Sequence, residues 1–328
     1  MNPLTNGKIV ATNYDSRLYV KQADGIKRGH PGYVMSRSQL VEFATCPSRW
    51  VRGYGENDEG TDSTEWGSLV DCLLFEPSRF DERFAIEPIS YEAVTEATKT
   101  KPSTTAVKPW NNNATACKEW KAQQGDRIII KRRDLIEAEV AIRRLKEDEI
   151  VSPIFSSSDF QVYVTAEYHD SKTGIVVPVK ALIDLVPQSS GHCRALIDYK
   201  TARDASPSNW DRVVFDRGYH VQAALFLDAY NAATNEGRDT FRHIAQENFA
   251  PYEVSRPEIE PGFLSAGRAV YLEALKLYAE CLSTGHWHGY DDLSRTNVNG
   301  WSIVSPKAHM VEISDPDWIS EPEEKEAA

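Results

Sequence analysis

Three apolar segments follow one another near the middle of the chain, and short turn-forming sequences separate them. Residues 160–168 alternate between apolar and polar side chains, residues 175–186 form a long apolar run, and residues 193–200 form a third run. This pattern predicts a three-stranded antiparallel meander. Pro178 interrupts the middle run, and because proline has no backbone N–H it predicts a strand edge or a bulge there.

Segments with helical spacing of apolar residues lie on both sides of this meander, and a further strand is predicted after it, over residues 241–249. The order of elements predicts an α/β or α+β fold in which helices flank a central mixed sheet. The predicted helices cover residues 36–54, 64–74, 134–147, 218–232 and 263–282.

The chain has 328 residues, which is enough for one large domain with insertions or for two small domains. We expect an N-terminal extension over residues 1–33 and a single domain over residues 34–312. The polar, proline-containing stretch near residues 92–116 predicts a mobile insertion. Residues 313–328 are acidic and predict a disordered tail, either a partner-binding segment or a solubilising one.

The net charge of −12 argues against a protein that coats DNA without regard to sequence, since such proteins are usually basic. The five cysteines are scattered and include no closely spaced pair, so we expect neither an iron–sulfur cluster nor zinc. The sequence has no signal-peptide pattern and no apolar run of membrane-spanning length, and we therefore expect a cytoplasmic protein that does not associate with membranes.

Two of the apolar runs end in an acid, Asp184 in ALIDLVP and Asp198 in ALIDYKT. The turn between them is centred near residue 190, which places Asp184 opposite Asp198. Facing side chains lie about 4.5–5.5 Å apart at Cβ, and two carboxylates so close repel each other unless a cation lies between them. Lys200 lies on the same strand face as Asp198, because side chains alternate along a strand.

Two acids and a lysine at one sheet edge suit phosphodiester hydrolysis with Mg²⁺ or Mn²⁺, which prefer oxygen ligands. Such a metal lowers the pKa of a bound water, and Lys200 either orients that water or acts as a base. The backbone carbonyl of Tyr199 is a further candidate ligand. The alternative is an ordinary Asp–Lys salt bridge at a sheet edge, since Asp-x-Lys or Glu-x-Lys triplets also occur elsewhere in the chain.

Several segments carry a resemblance to a known family. They are SRSQLVEFATCPSRW, WGSLVDCLLFEPSRF, AEYHD, VKALIDLVP, ALIDYKT and RGYHVQAALFLDAY. In this order they resemble the C-terminal nuclease domain of RecE (exonuclease VIII) and related phage and prophage exonucleases of the PD-(D/E)XK superfamily. The resemblance covers roughly residues 34–290, and the order of the motifs is more specific than any single one.

The resemblance implies that Asp184 and Asp198 are metal ligands, that Lys200 is the catalytic lysine, and that Gln222 contacts the active site or DNA. Glu167 matches an acidic position and is either a further acid near the metal or an ordinary strand-end carboxylate. Glu247 also falls at an acidic position of the relatives.

The chain departs from the family at two places. The histidine of the family's second helix is Asp71 here, so either Asp71 is an oxygen ligand to the metal or the site has lost a ligand. The tyrosine that often follows the family's glutamine by four residues is Phe226 here. Tyr219 and Tyr230 share a helix face with Gln222, and each either supplies the missing hydroxyl or packs in the core.

Contacts to DNA phosphates are expected from basic residues, although a solvated surface charge is the alternative for each. The candidates are Arg49, Arg52, Lys131, Arg132, Arg133, Arg143, Arg144 and Arg203, with Tyr219 as a further DNA contact. Trp50, Trp66 and Trp210 either stack on bases or pack in the core.

Together these observations predict a Mg²⁺- or Mn²⁺-dependent DNA exonuclease. By resemblance it resects linear duplex ends 5′ to 3′, leaves a single strand for an annealing recombinase, and forms a homo-oligomer. Two alternatives stay open. One is an endonuclease or flap nuclease on the same core, since a fold does not fix a substrate. The other is a catalytically silent DNA-end-binding scaffold, which the substitution at Asp71 favours and the intact Asp184, Asp198 and Lys200 oppose.

Overall fold

The computed structural model describes residues 2–22, 25–53, 62–95, 102–188, 194–293, 297–298 and 301–302. The strands in chain order are β1 Leu4–Ala11, β2 Phe84–Ile86, β3 Ser90–Thr95, β4 Thr104–Pro109, β5 Ile128–Ile130, β6 Ser158–His169, β7 Val176–Pro187, β8 Ala195–Ala202, β9 Thr240–Glu247, β10 Val254–Ser255, β11 Asn297–Val298 and β12 Trp301–Ser302. The helices are α1 Ser16–Tyr19, α2 Arg37–Thr45, α3 Pro47–Val51, α4 Asp62–Phe75, α5 Phe80–Arg83, α6 Thr115–Ala122, α7 Arg132–Glu147, α8 Val151–Ser156, α9 Pro207–Asp216, α10 Tyr219–Thr234, α11 Pro261–Thr284 and α12 Tyr290–Leu293.

A mixed six-stranded sheet forms the centre of the molecule, in the order β1-β6-β7-β8-β9-β10. Strands β6, β7 and β8 form the predicted antiparallel meander, and β9 then pairs with β8 in parallel. Parallel pairing requires a crossover connection, which α9 and α10 supply between β8 and β9.

Helices cover both faces of this sheet, and each face has its own apolar layer. One layer packs α2, α10 and α11 against the sheet, and residues 220–230 of α10 are all buried in it. The other layer packs α4, α7 and α8 against the opposite face. The predicted fold class, a central mixed sheet flanked by helices, is therefore confirmed.

Strand β1 corrects the prediction that residues 1–33 are an extension outside the domain. Leu4 pairs with Tyr168 and Ile9 with Val164, so β1 is an outer strand of the central sheet. Leu4 is buried in the layer that contains α10, and its apolar side chain is the local reason for this placement.

The predicted helix over residues 36–54 is divided in the structure. Ser36 is the N-cap of α2, with its hydroxyl accepting a hydrogen bond from the backbone N–H of Gln39. Cys46 is extended and Pro47 begins α3, because proline lacks the N–H that a continuous helix would need at that position.

The structure gives the segment near 92–116, predicted as a mobile insertion, regular secondary structure, since most of its described residues belong to an antiparallel hairpin and a helix. Strands β3 and β4 pair from Ser90 with Pro109 to Thr95 with Thr104, and α6 begins at Thr115. Val94 and Val107 are exposed, so neither side chain packs into an apolar layer. The predicted tail, residues 313–328, lies outside the described residues.

The N-terminal half of β7 is bordered by Met35 and not by β8, which agrees with the edge position predicted for Pro178. Met35 donates its N–H to the carbonyl of Pro178 and accepts from the N–H of Lys180.

The cysteines at 46, 72, 117 and 281 are buried free thiols. None of the described helices combines the length and the apolar character needed to cross a membrane.

Candidate active site

The two strand-borne acids face each other across β7 and β8, as the spacing of the hairpin predicts. Leu185 pairs with Ile197, so the next positions along the two strands bring Asp184 opposite Asp198. The backbone N–H of Tyr199 donates a 2.9 Å hydrogen bond to Asp184 Oδ2, which fixes one carboxylate against the neighbouring strand.

A local break in strand geometry coincides with Asp184. Ile183 is buried in the layer with α10 and Leu185 in the opposite layer, although residues two apart in a regular strand share a face. On β6, Gln161 lies at the facing position with a left-handed φ of +45°, and its Nε2 donates a 3.2 Å hydrogen bond to Asp184 Oδ1. The amide of Gln161 thus binds the second carboxylate oxygen of Asp184 at this break.

Asp198 is the most enclosed acid of the site, with 2% of its surface exposed. Gln222 Nε2 donates a 2.6 Å hydrogen bond to its Oδ1, and Lys200 forms an ion pair with its Oδ2. Burial of a carboxylate is costly unless donors surround it, and these two side chains supply the compensation.

The charges of the site act on one another's pKa values. Burial raises the pKa of Asp184 well above its usual range, and the negative charge of Asp198 raises it further. Burial tends to lower the pKa of Lys200, but Asp198 and Asp184 raise it more, so the net shift is upward. Lys200 is therefore a cation at neutral pH, and its Nζ lies 5.2 Å from the ring centre of Tyr219.

Arg37 belongs to the site although the sequence analysis did not select it. Its Nη2 donates a 3.2 Å hydrogen bond to Gln222 Oε1, and its guanidinium lies 5.9 Å from the ring centre of Tyr219. Burial lowers the pKa of Arg37, and Asp198 opposes that shift. The hydrogen bonds from Arg37 to Gln222 and from Gln222 to Asp198 thus link α2, α10 and β8. No local sequence pattern indicates this connection.

His243 is a second residue that sequence reasoning missed. It is fully buried on β9, directly beside Asp198 in the parallel register, and its Nε2 lies 4.0 Å from Asp198 Oδ2. Burial lowers the pKa of His243 to about 4, so the ring is neutral. Because Trp210 Nε1 can only donate, Nδ1 of His243 accepts that 3.3 Å hydrogen bond and the ring proton is on Nε2, facing Asp198.

Asp71 lies on α4 at the open side of the site. Its side chain is exposed to solvent, yet the surrounding protein atoms raise its pKa to about 7, an effect that Lys200 opposes and Asp198 reinforces. Helix α4 approaches β8 closely, because a Cβ at Gly67 would lie 3.2 Å from Thr201 Oγ1. Asp71 is thus within electrostatic reach of Asp198 and Lys200.

The structure does not bring Glu167 to this site, which corrects the expectation of a further acid there. Glu167 accepts hydrogen bonds from Asn6 Nδ2 at 2.6 Å and His169 Nε2 at 3.2 Å near the outer strand β1. It lies six residues along β6 from Gln161, which is about 20 Å at the rise of an extended strand. Glu247 ends β9 beside Ala202, and its backbone N–H donates to the carbonyl of Glu253.

The expected DNA contacts fall in different places. Arg203 is exposed immediately after β8, three residues beyond Lys200, whereas Arg49 and Arg52 belong to α3 and its end. Tyr219 is part of the site wall between Lys200 and Arg37. Among the tryptophans, Trp50 and Trp210 are core residues, and Trp66 stacks on Tyr252 with ring centres 6.3 Å apart.

The donor set of the site fits a hard divalent cation. Asp184, Asp198 and Asp71 offer carboxylate oxygens, and their mutual repulsion is the feature that a cation would relieve. Their ligand atoms do not all lie within 4.8 Å of one another, so the carboxylates would have to draw together around an ion. The carbonyl of Tyr199 as a further ligand stays a prediction; its hydroxyl points away and donates to Gln246 Oε1 at 2.7 Å.

Comparison with solved structures gives a fold-level relative. The crystal structure of a "Putative exonuclease" from Eubacterium rectale superposes with a TM-score of 0.51, covering 92% of this chain and 98% of that chain. The two sequences are 16% identical, so the likeness concerns the fold alone. No curated protein matches the sequence.

Residues 36–293 match the sequence pattern of one protein family, described as a PDDEXK-like domain of unknown function (DUF3799). The matched region begins at the N-cap of α2 and ends with α12, so it includes every residue of the site described above. The family match identifies a PDDEXK-like domain, and nucleases built on such domains generally depend on divalent metals. The chain belongs to the family of PDDEXK-like domains of unknown function (DUF3799).

Proposed function

We propose that this protein is a divalent-metal-dependent DNA exonuclease that hydrolyses phosphodiester bonds at the ends of linear duplexes. The observation that carries the proposal is the arrangement around Asp198. This buried acid faces Asp184, forms an ion pair with Lys200 and accepts a hydrogen bond from Gln222. An ordinary surface salt bridge would have no need of a second facing acid or of a buried glutamine.

Asp184 and Asp198 would hold the metal, with Asp71 as a third oxygen donor at the open side. A bound Mg²⁺ or Mn²⁺ supplies Lewis acidity, which activates water for attack and offsets phosphate charge. The backbone N–H of Tyr199 and the amide of Gln161 each donate a hydrogen bond to Asp184 and hold its carboxylate at the edge of the site. Such outer hydrogen bonds commonly tune metal affinity and activity.

Lys200 acts in this proposal as a cation and not as a base, because its pKa is raised. Its ammonium donates hydrogen bonds to the attacking water or to a phosphate oxygen, and it stabilises the negative charge that develops in the transition state. Gln222 keeps Asp198 in place through Nε2, while Arg37 holds the other end of the glutamine amide. Arg203 is available for a phosphate contact beyond the end of β8.

The finer features of the proposal come from the resemblance to RecE-like enzymes. They are 5′ to 3′ polarity, resection of duplex ends for phage-type recombination, hand-over of the single strand to an annealing recombinase, and a homo-oligomeric assembly. Digestion of duplexes labelled at the 5′ or the 3′ end tests the polarity. Light scattering after gel filtration tests the assembly.

The decisive experiment compares linear with closed-circular duplex DNA in Mg²⁺, Mn²⁺ or EDTA, for the wild type, Asp198→Ala and Lys200→Ala. A matched control is Lys172→Ala, because Lys172 ends an Asp-x-Lys triplet in the exposed turn after β6. We expect metal-dependent loss of the linear form only, absent in both site variants and unchanged in Lys172→Ala. Circular dichroism of each variant verifies the fold.

The two rival functions correspond to distinct results of this experiment. Cleavage of the closed circle would identify an endonuclease on the same core. Absence of cleavage in every metal, with DNA ends still bound, would identify a DNA-end-binding scaffold whose site has lost activity with the change to Asp71. Cleavage that survives both Asp198→Ala and Lys200→Ala would remove this site from the chemistry.

A further inference from the structure

A second group of ligand-type side chains lies outside the active site, in the sequence HWHGYDD that follows α11. His286, His288 and Asp292 each present one ligand atom, and these three atoms all lie within 4.8 Å of one another. Within the described part of the chain, it is the one group of three or more histidine, cysteine or acidic side chains whose ligand atoms lie this close together. The nuclease chemistry described above makes no use of it.

The local fold explains why these side chains converge. Helix α11 ends at Gly285, which adopts a left-handed φ of +70°, and the chain then runs on towards α12. Trp287 packs into the core beside Trp50 and Tyr278, with ring centres 6.3 and 6.0 Å away. With Trp287 held inward, the side chains of His286 and His288 on either side of it lie together, with ring centres 4.7 Å apart.

Asp292 is brought to the histidines by the turn into α12. The backbone N–H of Gly289 donates a 2.9 Å hydrogen bond to Asp292 Oδ2, which fixes the carboxylate. His286 Nε2 lies 3.3 Å and His288 Nδ1 lies 4.0 Å from that oxygen. Donors around a tetrahedral Zn²⁺ are about 3.4 Å apart, given bonds of about 2.0–2.2 Å, so exposed side chains need to move only a little.

We propose that His286, His288 and Asp292 form a second metal site, for Zn²⁺ or another divalent ion that accepts imidazole ligands, such as Co²⁺ or Ni²⁺. Two imidazoles and one carboxylate are a donor set that Mg²⁺ disfavours, which separates this site from the oxygen-lined active site. Three protein ligands leave a fourth position for water.

The bound ion would fasten the segment after α11 to the body of the domain. The backbone N–H of Ser48 on α3 donates to the carbonyl of His288, and Arg49 Nη1 donates to the hydroxyl of Tyr290. The expectation that the protein has no zinc rested on cysteine spacing alone, and a histidine–aspartate site lies outside that reasoning.

The test measures Zn²⁺ binding to the full-length, tag-free protein by competition with a chromogenic chelator. Asp184→Asn combined with Asp198→Asn serves as the background, so that the active site contributes little. We expect one Zn²⁺ per chain, retained in a large excess of Mg²⁺. In the same background His286→Ala and Asp292→Asn weaken binding about tenfold or more, since even the outer partners of metal ligands cost that much.

The matched control is His169→Ala, because His169 is also exposed and also contacts a carboxylate, that of Glu167, but it lacks a third ligand. Zn²⁺ binding is expected to be unchanged in this variant. Replacement of Zn²⁺ by Co²⁺ gives a second readout, the visible absorption of four-coordinate cobalt, which His286→Ala removes. Absence of tight Zn²⁺ binding in the background protein would overturn the proposal, as would binding that ignores both His286→Ala and Asp292→Asn. Neither outcome depends on nuclease activity.

Discussion

Gln222 Nε2 lies 2.6 Å from Asp198 Oδ1, and the same amide accepts a hydrogen bond from Arg37 through its oxygen. Both Gln222 and Asp198 are buried, at 5% and 2% exposure, so water cannot replace either contact easily. The amide is therefore oriented by Arg37 such that its donor end meets the carboxylate.

This relationship predicts the effect of Gln222→Glu. A further carboxylate would face Asp198 and repel it, and it would accept the hydrogen bond from Arg37 without donating one to Asp198. We expect DNA cleavage to fall about 10–100-fold, the range found for outer partners of metal ligands. Initial rates of linear-duplex digestion measure this, beside the exposed control Gln123→Glu, which should retain the wild-type rate. Equal rates for both variants would show that Gln222 does not position Asp198.

The raised pKa of Asp71 predicts how this residue affects the stability of the metal-free protein at different pH values. The unfolded chain loses this proton near pH 3.8, whereas the folded protein retains it up to about pH 7. The folded state thus binds more protons at Asp71 between these values, so the contribution of Asp71 to stability falls as pH rises through that window. In EDTA, Asp71→Asn should remove this loss of stability with rising pH. The melting temperature of the variant should therefore exceed that of the wild type at pH 8 but not at pH 5. A parallel pH dependence in the two proteins would contradict the prediction.

The lowered pKa of His243 predicts a contribution of opposite sign over nearly the same pH range. Its folded-state pKa of about 4 lies below the unfolded value of 6.5, because the ring is buried. The unfolded state binds more protons in that window, so the stabilising contribution is complete above pH 6.5 and is lost as pH falls towards 4. An NMR titration of the imidazole should show a neutral ring with its proton on Nε2 down to about pH 5. A ring that titrates near pH 6.5 would disprove the buried, neutral arrangement.

Helix α10, which carries Gln222, packs closely against α11 at Gly267, and this contact predicts the effect of a larger residue there. A Cβ at Gly267 on α11 would overlap the carbonyl oxygen of His220 on α10. We expect Gly267→Ala to lower the free energy of unfolding by about 1–3 kcal/mol, as overpacking does, and to reduce cleavage by displacing Gln222. On the same helix, Gly262→Ala meets no neighbour and should leave both properties unchanged. Urea unfolding and digestion rates of the pair measure the difference.

Sequence reasoning was most successful where the determinants are local. The meander, the facing positions of Asp184 and Asp198, and the helices α4, α7, α10 and α11 follow from alternation, apolar spacing and turn residues within short windows. The hairpin over residues 90–109 was missed because its strands are polar and exposed, so that no apolar alternation indicated them. The prediction of a single helix over residues 36–54 is wrong, because Pro47 lacks the backbone N–H that a continuous helix needs and begins a separate helix.

The parts of the site that escaped prediction depend on contacts between distant segments. Arg37 reaches Gln222 only because α2 packs near α10, and His243 reaches Asp198 only through the parallel register of β8 and β9. Glu167 was placed near the metal by motif order, whereas the length of β6 carries it to the far end of the sheet. Registers and helix contacts of this kind are properties of the whole fold and leave no signature in a short window of sequence.

The position of β1 has a consequence for the order of folding. The meander of β6, β7 and β8 joins neighbouring segments, so it can assemble soon after those residues leave the ribosome. Strand β1 is synthesised before the meander, and roughly 150 residues separate it from its partner β6. Because contacts between remote segments form slowly, we expect this outer strand to join the sheet late. Until then the edge of β6 is open to pairing with other chains, and the newly made protein depends on β1 to close that edge.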